Sequence, residues 1–326
     1  MNNYIIFDTS IGSLNVGDQI INNSFDKNLK DIYGNGFVVR YATHIPTSHF
    51  YQNNKFNRFY RYVKSCTAKF IVGTNILSNN MFEPWPNWNV NIFNCKPYKN
   101  SILVGCGYAA NSDNINTYTR LLYSKILSKD AIHSVRDERT KRILNKLGYK
   151  AINTGCVTMW GLTKEHCKKI PEKKHKNVIF TLTDYKKDIE YDQCLINILN
   201  KNYEKVYYWV QGSGDLEYFK TLKNTEKIIM VNPNLEDYKS ILVENDVDYI
   251  GTRLHAGIYA MQNFVRSIIL IVDNRARDMK ETYNLPAIER NKIKEDLQEM
   301  LTSDYETRIN IDEKKIEEWK KQFYEK

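Results

Sequence analysis

Cysteine is scarce and unpatterned in this 326-residue sequence, which contains six cysteines and no C-x-x-C pair. This pattern argues against a disulfide scaffold and against a structural zinc site. A chain of this length buries enough apolar surface to fold without such cross-links. Because scattered cysteines are typical of a reducing compartment, we expect a cytoplasmic protein.

Long hydrophobic runs are also missing, since no apolar segment approaches the roughly 20 residues of a membrane-spanning helix. The first ten residues lack the basic and apolar regions of a signal peptide. Patterns typical of nucleic-acid-binding modules and the G-x-S-x-G elbow of serine hydrolases are absent too. We therefore expect neither nucleic-acid binding nor serine-hydrolase chemistry.

Positive charge is in excess, with 47 Lys and Arg against 38 Asp and Glu, for a net charge of +9. This excess suits an anionic partner such as a phosphorylated small molecule, an anionic membrane surface or nucleic acid, and it does not choose among them. A solvated surface on a lysine-rich chain is the open alternative.

Short apolar runs alternate with amphipathic stretches, which predicts βαβ units and parallel sheets. A polar bridge over 164–177 separates two such series, so we expect two α/β domains, at residues 1–165 and 176–290. The remaining residues, 291–326, have spaced apolar positions and predict a helical tail that packs back on the body. The expected strands are Tyr4–Asp8, Phe37–Tyr41, Phe70–Gly73, Ile102–Gly105, Ile132–Val135, Ala151–Asn153, Val178–Leu182, Val206–Gln211, Lys227–Val231, Val247–Gly251 and Ser267–Val272.

Ligands of open α/β sheets bind at the carboxyl ends of strands, which directs attention to the loops there. The first loop contains Asn15, Gly17 and Asp18. Its glycine allows close backbone approach, while the polar residues either contact a ligand or cap the following helix. The loop lacks both the G-x-G-x-x-G pattern and the lysine of a phosphate-binding P-loop.

Arginine follows predicted strands at three further positions. Arg136 suits bidentate binding of a carboxylate or phosphate, or else an ion pair with Asp137 or Glu138. Arg253 lies two residues before His255, so a cation adjoins a group that titrates near neutral pH; a buried, hydrogen-bonded histidine is the alternative. Arg275 adds charge after the next strand or belongs to a surface loop.

Basic and aromatic residues interleave over Lys55–Lys64. The spacing predicts a helix with an apolar inner face and a basic outer face. Contact of this helix with an anionic membrane surface is the second interpretation. It would give the protein a peripheral location at the inner membrane face.

Taken together, these segments resemble the polysaccharide pyruvyl transferase family, and their order covers most of the chain. The residues that carry the resemblance are Asn15–Ile21, Gly73–Leu77, Ser134–Thr140 with Leu144 and Gly148, Gly251–Ala260 and Ile271–Arg275.

The resemblance implies a GT-B-like fold of two Rossmann-like domains whose parallel sheets face a central cleft. It places the acceptor on the 1–165 domain and the donor on the 176–290 domain. Members of the family move pyruvate from phosphoenolpyruvate onto two hydroxyls of a sugar, which forms a cyclic ketal. The sugar belongs to a cell-surface glycan precursor, either lipid-linked or nucleotide-linked, and neither a metal nor a cofactor is implied.

The same resemblance suggests roles for individual residues. His255 would protonate the enol methylene, and Asp18 would accept a hydroxyl proton. The expected substrate-binding residues are Arg136, Arg253, Leu254 through its backbone, Asn15, Gly17, Asn75, His44 and Arg275, with His49 as the alternative to His44.

Two other functions stay open at the level of sequence. A GT-B glycosyltransferase that uses a nucleotide sugar would share the fold and the basic loops. A non-catalytic protein of the same fold that binds a glycan or an anion would share them as well.

Overall fold

The computed structural model describes residues 2–83, 87–244 and 246–324. The chain divides into two compact units. Unit 1 comprises Met1–Ser13, Ile21–Trp160 and Asp312–Lys326, and unit 2 comprises Leu14–Ile20 and Gly161–Ile311. The ranges 1–165, 176–290 and 291–326 stay predictions of domain organisation. In the structure, residues 291–311 group with unit 2, whereas the last segment groups with unit 1.

Parallel strands form the sheets of both units, as the alternating sequence pattern predicts. Unit 1 has a four-stranded sheet in the order β2-β1-β3-β4 and a β5-β6 pair, and unit 2 has a six-stranded sheet in the order β12-β11-β10-β7-β8-β9. The strands are β1 (Asn3–Asp8), β2 (Phe37–Ala42), β3 (Ala68–Val72), β4 (Ile102–Val104), β5 (His133–Val135), β6 (Ala151–Asn153), β7 (Asn177–Thr181), β8 (Val206–Trp209), β9 (Ile229–Val231), β10 (Val247–Gly251), β11 (Ser267–Ile271) and β12 (Ala287–Glu289).

Helices connect most of these strands, which is the arrangement that parallel pairing requires. The described α-helices are α1 (Gly17–Tyr33), α2 (Arg58–Ser65), α3 (Thr117–Ile126), α4 (Glu138–Lys146), α5 (Lys164–Cys167), α6 (Ile189–Asn202), α7 (Asp215–Phe219), α8 (Leu235–Glu244), α9 (Leu254–Gln262), α10 (Asn274–Tyr283), α11 (Gln298–Thr302) and α12 (Glu313–Lys321).

The sequence pattern missed α3, α10 and β12. The sequence of α10, NRARDMKETY, is mostly charged, and only three of its residues are buried, so its apolar periodicity is weak. Strand β12 has only three residues and lies at the edge of its sheet. The predicted linker over 164–177 also contains the short helix α5.

His133 helps to extend the first sheet from β4 to β5. Its Nδ1 accepts a hydrogen bond from the backbone N–H of Leu103 (3.1 Å), and its Nε2 donates to the carbonyl of Ser128 (2.8 Å). Burial lowers the pKa of this imidazole to about 4. A single parallel bridge between Cys106, just after β4, and Val135, at the end of β5, is a second connection between these two strands. The His133 ring is therefore uncharged, and its two hydrogen bonds connect β4 to the segment before β5 within the core of unit 1.

The C-terminal helix α12 packs on the body of unit 1, as predicted. Trp319 is fully buried, and its indole N–H donates to the carbonyl of Ile132 (2.7 Å). Its ring lies 5.7 Å from that of Trp160, centroid to centroid. The apolar positions of the predicted tail thus cover residues that precede β5.

A buried charged network lies at the amino ends of the unit 2 strands. The carboxylate of Asp248 accepts hydrogen bonds from the Arg266 guanidinium (3.2 Å), the Tyr203 hydroxyl (2.7 Å) and the His175 imidazole (2.8 Å). Arg266 also donates to the carbonyls of Glu172 and Met300. One carboxylate thus links β10 to the segments that precede β7 and β11.

The hydrogen bond to Asp248 raises the pKa of His175, although burial opposes the shift. A raised folded-state pKa stabilises the fold below the unfolded value of about 6.5 and loses that contribution as the pH rises through the folded value. We expect the free energy of unfolding to fall over that window by at most about 1.4 kcal/mol per pH unit for one proton.

Urea unfolding between about pH 6 and 9 tests this, because His175→Gln should flatten the slope. His49→Gln, at an exposed position, is the control and should keep the wild-type slope. An unchanged slope in His175→Gln would contradict the assignment.

Candidate active site

Charged side chains of unit 2 converge at the carboxyl ends of its strands. Four loops contribute, and they follow β7, β8, β10 and β11 in the sheet. Helix N-termini meet the same edge, which is where ligands bind in open parallel sheets. The converging residues are Asp184, Tyr185, Asp215, Arg253, Asp273 and Arg275.

Arg253 is buried in an ion pair with two carboxylates. Its Nε lies 3.1 Å from Asp215 Oδ2, its Nη2 lies 3.0 Å from Asp184 Oδ1, and Nη2 also bonds Asp215 Oδ1. Nε further donates to the carbonyl of Leu182 (3.2 Å). Burial alone would lower the pKa of Arg253, but Asp215 raises it above its ordinary value. Arg253 is therefore a permanently charged group that two carboxylates already contact, and the sequence did not identify these carboxylates.

Two glycines let the chain pass over this ion pair. A Cβ on Gly212 would overlap Arg253 Nη2, and a Cβ on Gly214 would overlap the carboxylate of Asp184. The backbone N–H of Gly212 donates to Asp215 (2.7 Å), which closes the turn on the pair. The sequence did not identify Asp215 or Asp184 as site residues. The available signal was a Gly-x-Gly-Asp segment directly after a predicted strand.

Arg275 is held in a similar way after β11. Its Nε lies 2.9 Å from Asp273 Oδ2, and its Nη2 donates to the Tyr185 hydroxyl (2.7 Å). Burial opposes ionisation of Asp273, but the hydrogen bond from Arg275 lowers its pKa below the usual range. The Tyr185 ring centroid also lies 5.2 Å from Arg253 Cζ. Tyr185 thus connects the two arginines, which sequence separation alone did not indicate.

His255 and Leu254 occupy the first turn of α9, immediately after Arg253. Both are buried, with exposed fractions of 8% and 9%. The Tyr249 hydroxyl donates to the carbonyl of Arg253 (2.8 Å) and fixes the start of the helix. A Cβ on Gly257 would come within 2.6 Å of Ile269, so α9 packs closely on β11. The start of α9 is therefore fixed, and with it the backbone of His255, which follows the ion-paired Arg253 by two residues in the sequence.

The N-terminal loop is bound to the segment after β8, and both belong to unit 2. Asn15 Oδ1 accepts from the backbone N–H of Gly17 (3.0 Å) and from Gln211 Nε2 (2.8 Å). Asn15 also pairs with Gly212 in an antiparallel bridge. Asp18 lies inside the first turn of α1 and is buried. Asn15 thus connects this loop to the glycine that covers Arg253, a role that its sequence position did not reveal.

Arg136 and Asn75 come together in unit 1 around Gly107. A Cβ on Gly107 would overlap both Arg136 Nε and Asn75 Oδ1. Arg136 is buried, its backbone N–H donates to Cys106 (3.1 Å), and its Nε lies 3.6 Å from Asp137 Oδ2. Of the two carboxylates proposed from sequence as its partner, the described contact is to Asp137.

His44 belongs to the same neighbourhood as Asn75. Its Nδ1 lies 3.1 Å from the carbonyl of Asn87, and Asn87 Nδ2 donates to the carbonyl of Asn75 (3.0 Å). Because a carbonyl only accepts, the proton of the His44 ring belongs on Nδ1. Unit 1 therefore gathers Arg136, Asn75 and His44 around its own strand ends.

Among residues 2–83, 87–244 and 246–324, no three His, Cys, Asp or Glu side chains are grouped to hold a metal ion. In the same part of the chain, no helix is long and apolar enough to cross a membrane.

Parallel sheets in both units, with polar clusters at the carboxyl ends of their strands, define a GT-B-like α/β protein with Rossmann-like units. The chain belongs to the polysaccharide pyruvyl transferase family, whose family model matches residues 15–274. This places the protein in a family of transferases. Comparison with curated protein sequences gives no match.

Solved structures with a similar fold include the UDP-GlcNAc 2-epimerase of Methanocaldococcus jannaschii. One structure of that enzyme matches with a TM-score of 0.55 and 13% identity. A second structure, a complex with UDP-GlcNAc and UDP, matches with a TM-score of 0.53 and 12% identity. Each match covers 100% of both chains. At this identity the likeness concerns the fold alone.

Removing one partner of a buried ion pair leaves an uncompensated charge, which costs about 3–5 kcal/mol. Because Asp184 still contacts Arg253, we expect Asp215→Asn to lower the free energy of unfolding by at most about 3–5 kcal/mol. Glu217→Ala, which removes an exposed pair with Lys220 from the same helix, should change it by about 0–1 kcal/mol. Equal effects in chemical denaturation would contradict this role of Asp215.

Proposed function

We propose that this protein transfers the pyruvyl group of phosphoenolpyruvate to two hydroxyls of a sugar in a cell-surface glycan precursor, forming a cyclic ketal. Membership of the family supports this proposal. The observation that carries it is the pair of oriented guanidinium groups, Arg253 and Arg275, connected by Tyr185 at one sheet edge. His255 lies next to this pair in the first turn of α9.

Phosphoenolpyruvate carries a carboxylate and a phosphate, so two guanidinium groups suit its two ends. The protein bonds of both arginines run through Nε and Nη2. A donor anion would bind through Nη1, first of all on Arg275, whose side chain is 31% exposed against 6% for Arg253, with the Leu254 backbone as an additional contact. The carboxylates beneath the arginines fix their orientation, which reduces the entropy lost on binding. Arg136 of unit 1 remains a predicted donor ligand.

The chemistry requires one proton to be delivered and two to be removed. His255 would donate a proton to C3 of the enol, which makes C2 electrophilic. One sugar hydroxyl attacks C2 and loses its proton to Asp18 or to solvent. This proton then returns to His255, which is protonated again. The bond between C2 and the phosphate oxygen then breaks, and the second hydroxyl attacks C2. Its proton leaves with inorganic phosphate, so the reaction balances without a redox step, and we expect it to need no cofactor or metal.

Phosphoenolpyruvate at about 100 times its Kd should add about 2.7 kcal/mol to the stability of the folded protein. Thermal unfolding with phosphoenolpyruvate, or with a panel of nucleotide sugars, measures this. We expect Arg275→Ala to lose the shift, whereas Arg308→Ala, an exposed arginine of the same unit, should keep it. His255→Asn should keep the shift and lose about 10²–10⁴-fold in phosphate release with an acceptor.

A shift with nucleotide sugars alone would replace this proposal with a glycosyltransferase. A shift with phosphoenolpyruvate but no turnover with any acceptor would leave a non-catalytic binding protein.

We further propose that α2 contacts an anionic membrane surface, where a lipid-linked acceptor would lie. Residues 32–82 contain no aspartate or glutamate. Three basic residues of this helix, Arg58, Arg61 and Lys64, are exposed, as the amphipathic pattern predicts. The helix begins at Arg58 and not at Lys55, so Phe56, which the spacing assigned to the apolar inner face, lies before the helix and is 82% exposed. Phe50 is 70% exposed. Basic charge beside exposed aromatic rings suits the interface of an anionic bilayer.

Each basic residue near an anionic surface contributes about 1 kcal/mol, so replacing Arg58, Arg61 and Lys64 with glutamine should weaken binding about 100-fold. Cosedimentation with phosphatidylcholine vesicles, with and without phosphatidylglycerol, measures this. A triple replacement of the exposed Lys223, Lys227 and Lys239 is the charge-matched control. The proposed membrane contact is wrong if the wild-type protein binds vesicles equally with and without phosphatidylglycerol, or if it binds RNA and not these vesicles.

A further inference from the structure

An amide-rich pocket opens in unit 1 beside the carboxyl ends of β3 and β4. Its volume is about 350 Å³, near the lower end of the range for small-ligand sites. Apart from the backbone and apolar side chains, its described lining consists of Asn75, Ser78, Asn79, Asn80, Glu83, Asn87 and Asn111. Within residues 2–83, 87–244 and 246–324, no lysine, arginine or histidine lines it.

This lining is chemically suited to hydroxyl groups. An asparagine amide both donates and accepts hydrogen bonds, and so does each hydroxyl of a sugar. Two of these amides are held in place, because Asn80 Oδ1 accepts from Asn116 Nδ2 (2.8 Å) and Asn87 Nδ2 donates to the backbone carbonyl of Asn75 (3.0 Å). The pocket therefore presents oriented amides and needs little reorganisation to bind a polyol.

Asn75 Oδ1 provides a separate indication of a ligand. This oxygen is buried and has no hydrogen-bond partner among the described residues. A buried acceptor without a partner costs about 1–3 kcal/mol, so native structures keep few of them without a reason. A sugar hydroxyl that donates to Asn75 would remove this cost. The same oxygen lies beside Gly107 with Arg136, so the pocket adjoins that guanidinium.

We propose that this pocket binds one uncharged sugar ring of the acceptor and excludes acidic sugars. The proposal rests on the proposed function and specifies its acceptor. A uronate or sugar phosphate would place a negative charge beside Glu83, and like charges repel each other when no lining cation compensates them. A neutral or N-acetylated hexose pairs its hydroxyls with the amides and leaves Arg136 for an anion next to it.

Binding of simple glycosides tests the proposal directly. The probes are the methyl β-glycosides of glucose, galactose, mannose and N-acetylglucosamine, compared with methyl β-D-glucuronide, by saturation-transfer NMR. We expect at least one neutral glycoside to bind about tenfold or more tightly than the glucuronide, as one lost charged interaction implies. Glu83→Gln should reduce the difference in affinity between the neutral glycoside and the glucuronide, because it removes the negative charge from the pocket.

Asn75→Leu separates a binding role from a structural one. It should lower binding of the neutral glycoside about tenfold without lowering the melting temperature, because the oxygen that it removes has no partner to lose. Asn114→Leu, at an exposed asparagine of the same unit, should leave binding unchanged.

Equal or tighter binding of the glucuronide overturns the proposal, and so does absence of binding by every neutral glycoside. The melting shift with phosphoenolpyruvate is measured on the same samples. If that shift is present while sugar selectivity fails, the pocket assignment is wrong and the donor proposal stands. If the shift is absent, the proposed function fails instead.

Discussion

The buried ion pair between Arg253 and Asp215 holds together the carboxyl edge of the unit 2 sheet. Arg253 has an exposed fraction of only 5%, and its buried charge is tolerated because two carboxylates and a carbonyl compensate it. These partners come from the loops after β7 and β8, so the pair fixes the positions of three loops relative to one another. Gly212 has to be a glycine because the backbone passes directly over the guanidinium. Asn15 in turn connects the N-terminal loop to that glycine.

Charged residues at the two edges of the same sheet serve different purposes. At the amino edge, Asp248 and Arg266 are sealed among backbone carbonyls and aromatic rings, where they connect strands to surrounding segments. At the carboxyl edge, Arg253 and Arg275 are oriented by carboxylates and joined through Tyr185. Helix N-termini meet only the carboxyl edge of a parallel sheet, which favours anions there. This asymmetry is why the proposed donor residues lie at that edge.

The polar site of unit 1 has a different character. Arg136 lies against Asn75, and beyond Asn75 the lining consists of amides and one carboxylate. Such a surface offers many paired donors and acceptors but little charge, which suits a polyol better than a phosphate. The two units thus differ in chemistry, with ion-paired guanidinium groups at the strand ends of unit 2 and amides at those of unit 1.

The sequence by itself determined the elements and several important residues. Apolar runs predicted eleven of the twelve described strands, because most of these strands are largely buried and buried parallel strands require continuous hydrophobic segments. The order of the motifs identified the family, and the strand-end rule selected Arg136, Arg253, His255 and Arg275. Short or highly charged elements such as β12 and α10 were not predicted, since they carry little hydrophobic periodicity.

Only the tertiary structure decided which side chains meet. Asp215 precedes Arg253 by 38 residues, and Tyr185 precedes Arg275 by 90, so no local pattern reveals that they touch. The same holds for Asn75, whose contact with the Arg136 neighbourhood depends on the parallel pairing of β3 with β4 and on the bridge between Cys106 and Val135. Hydrophobic periodicity reports burial along one element, whereas partners depend on the order of the strands in the sheet. That order arises from packing of the whole unit, and it places Arg253 at the centre of an ion pair that the sequence did not reveal.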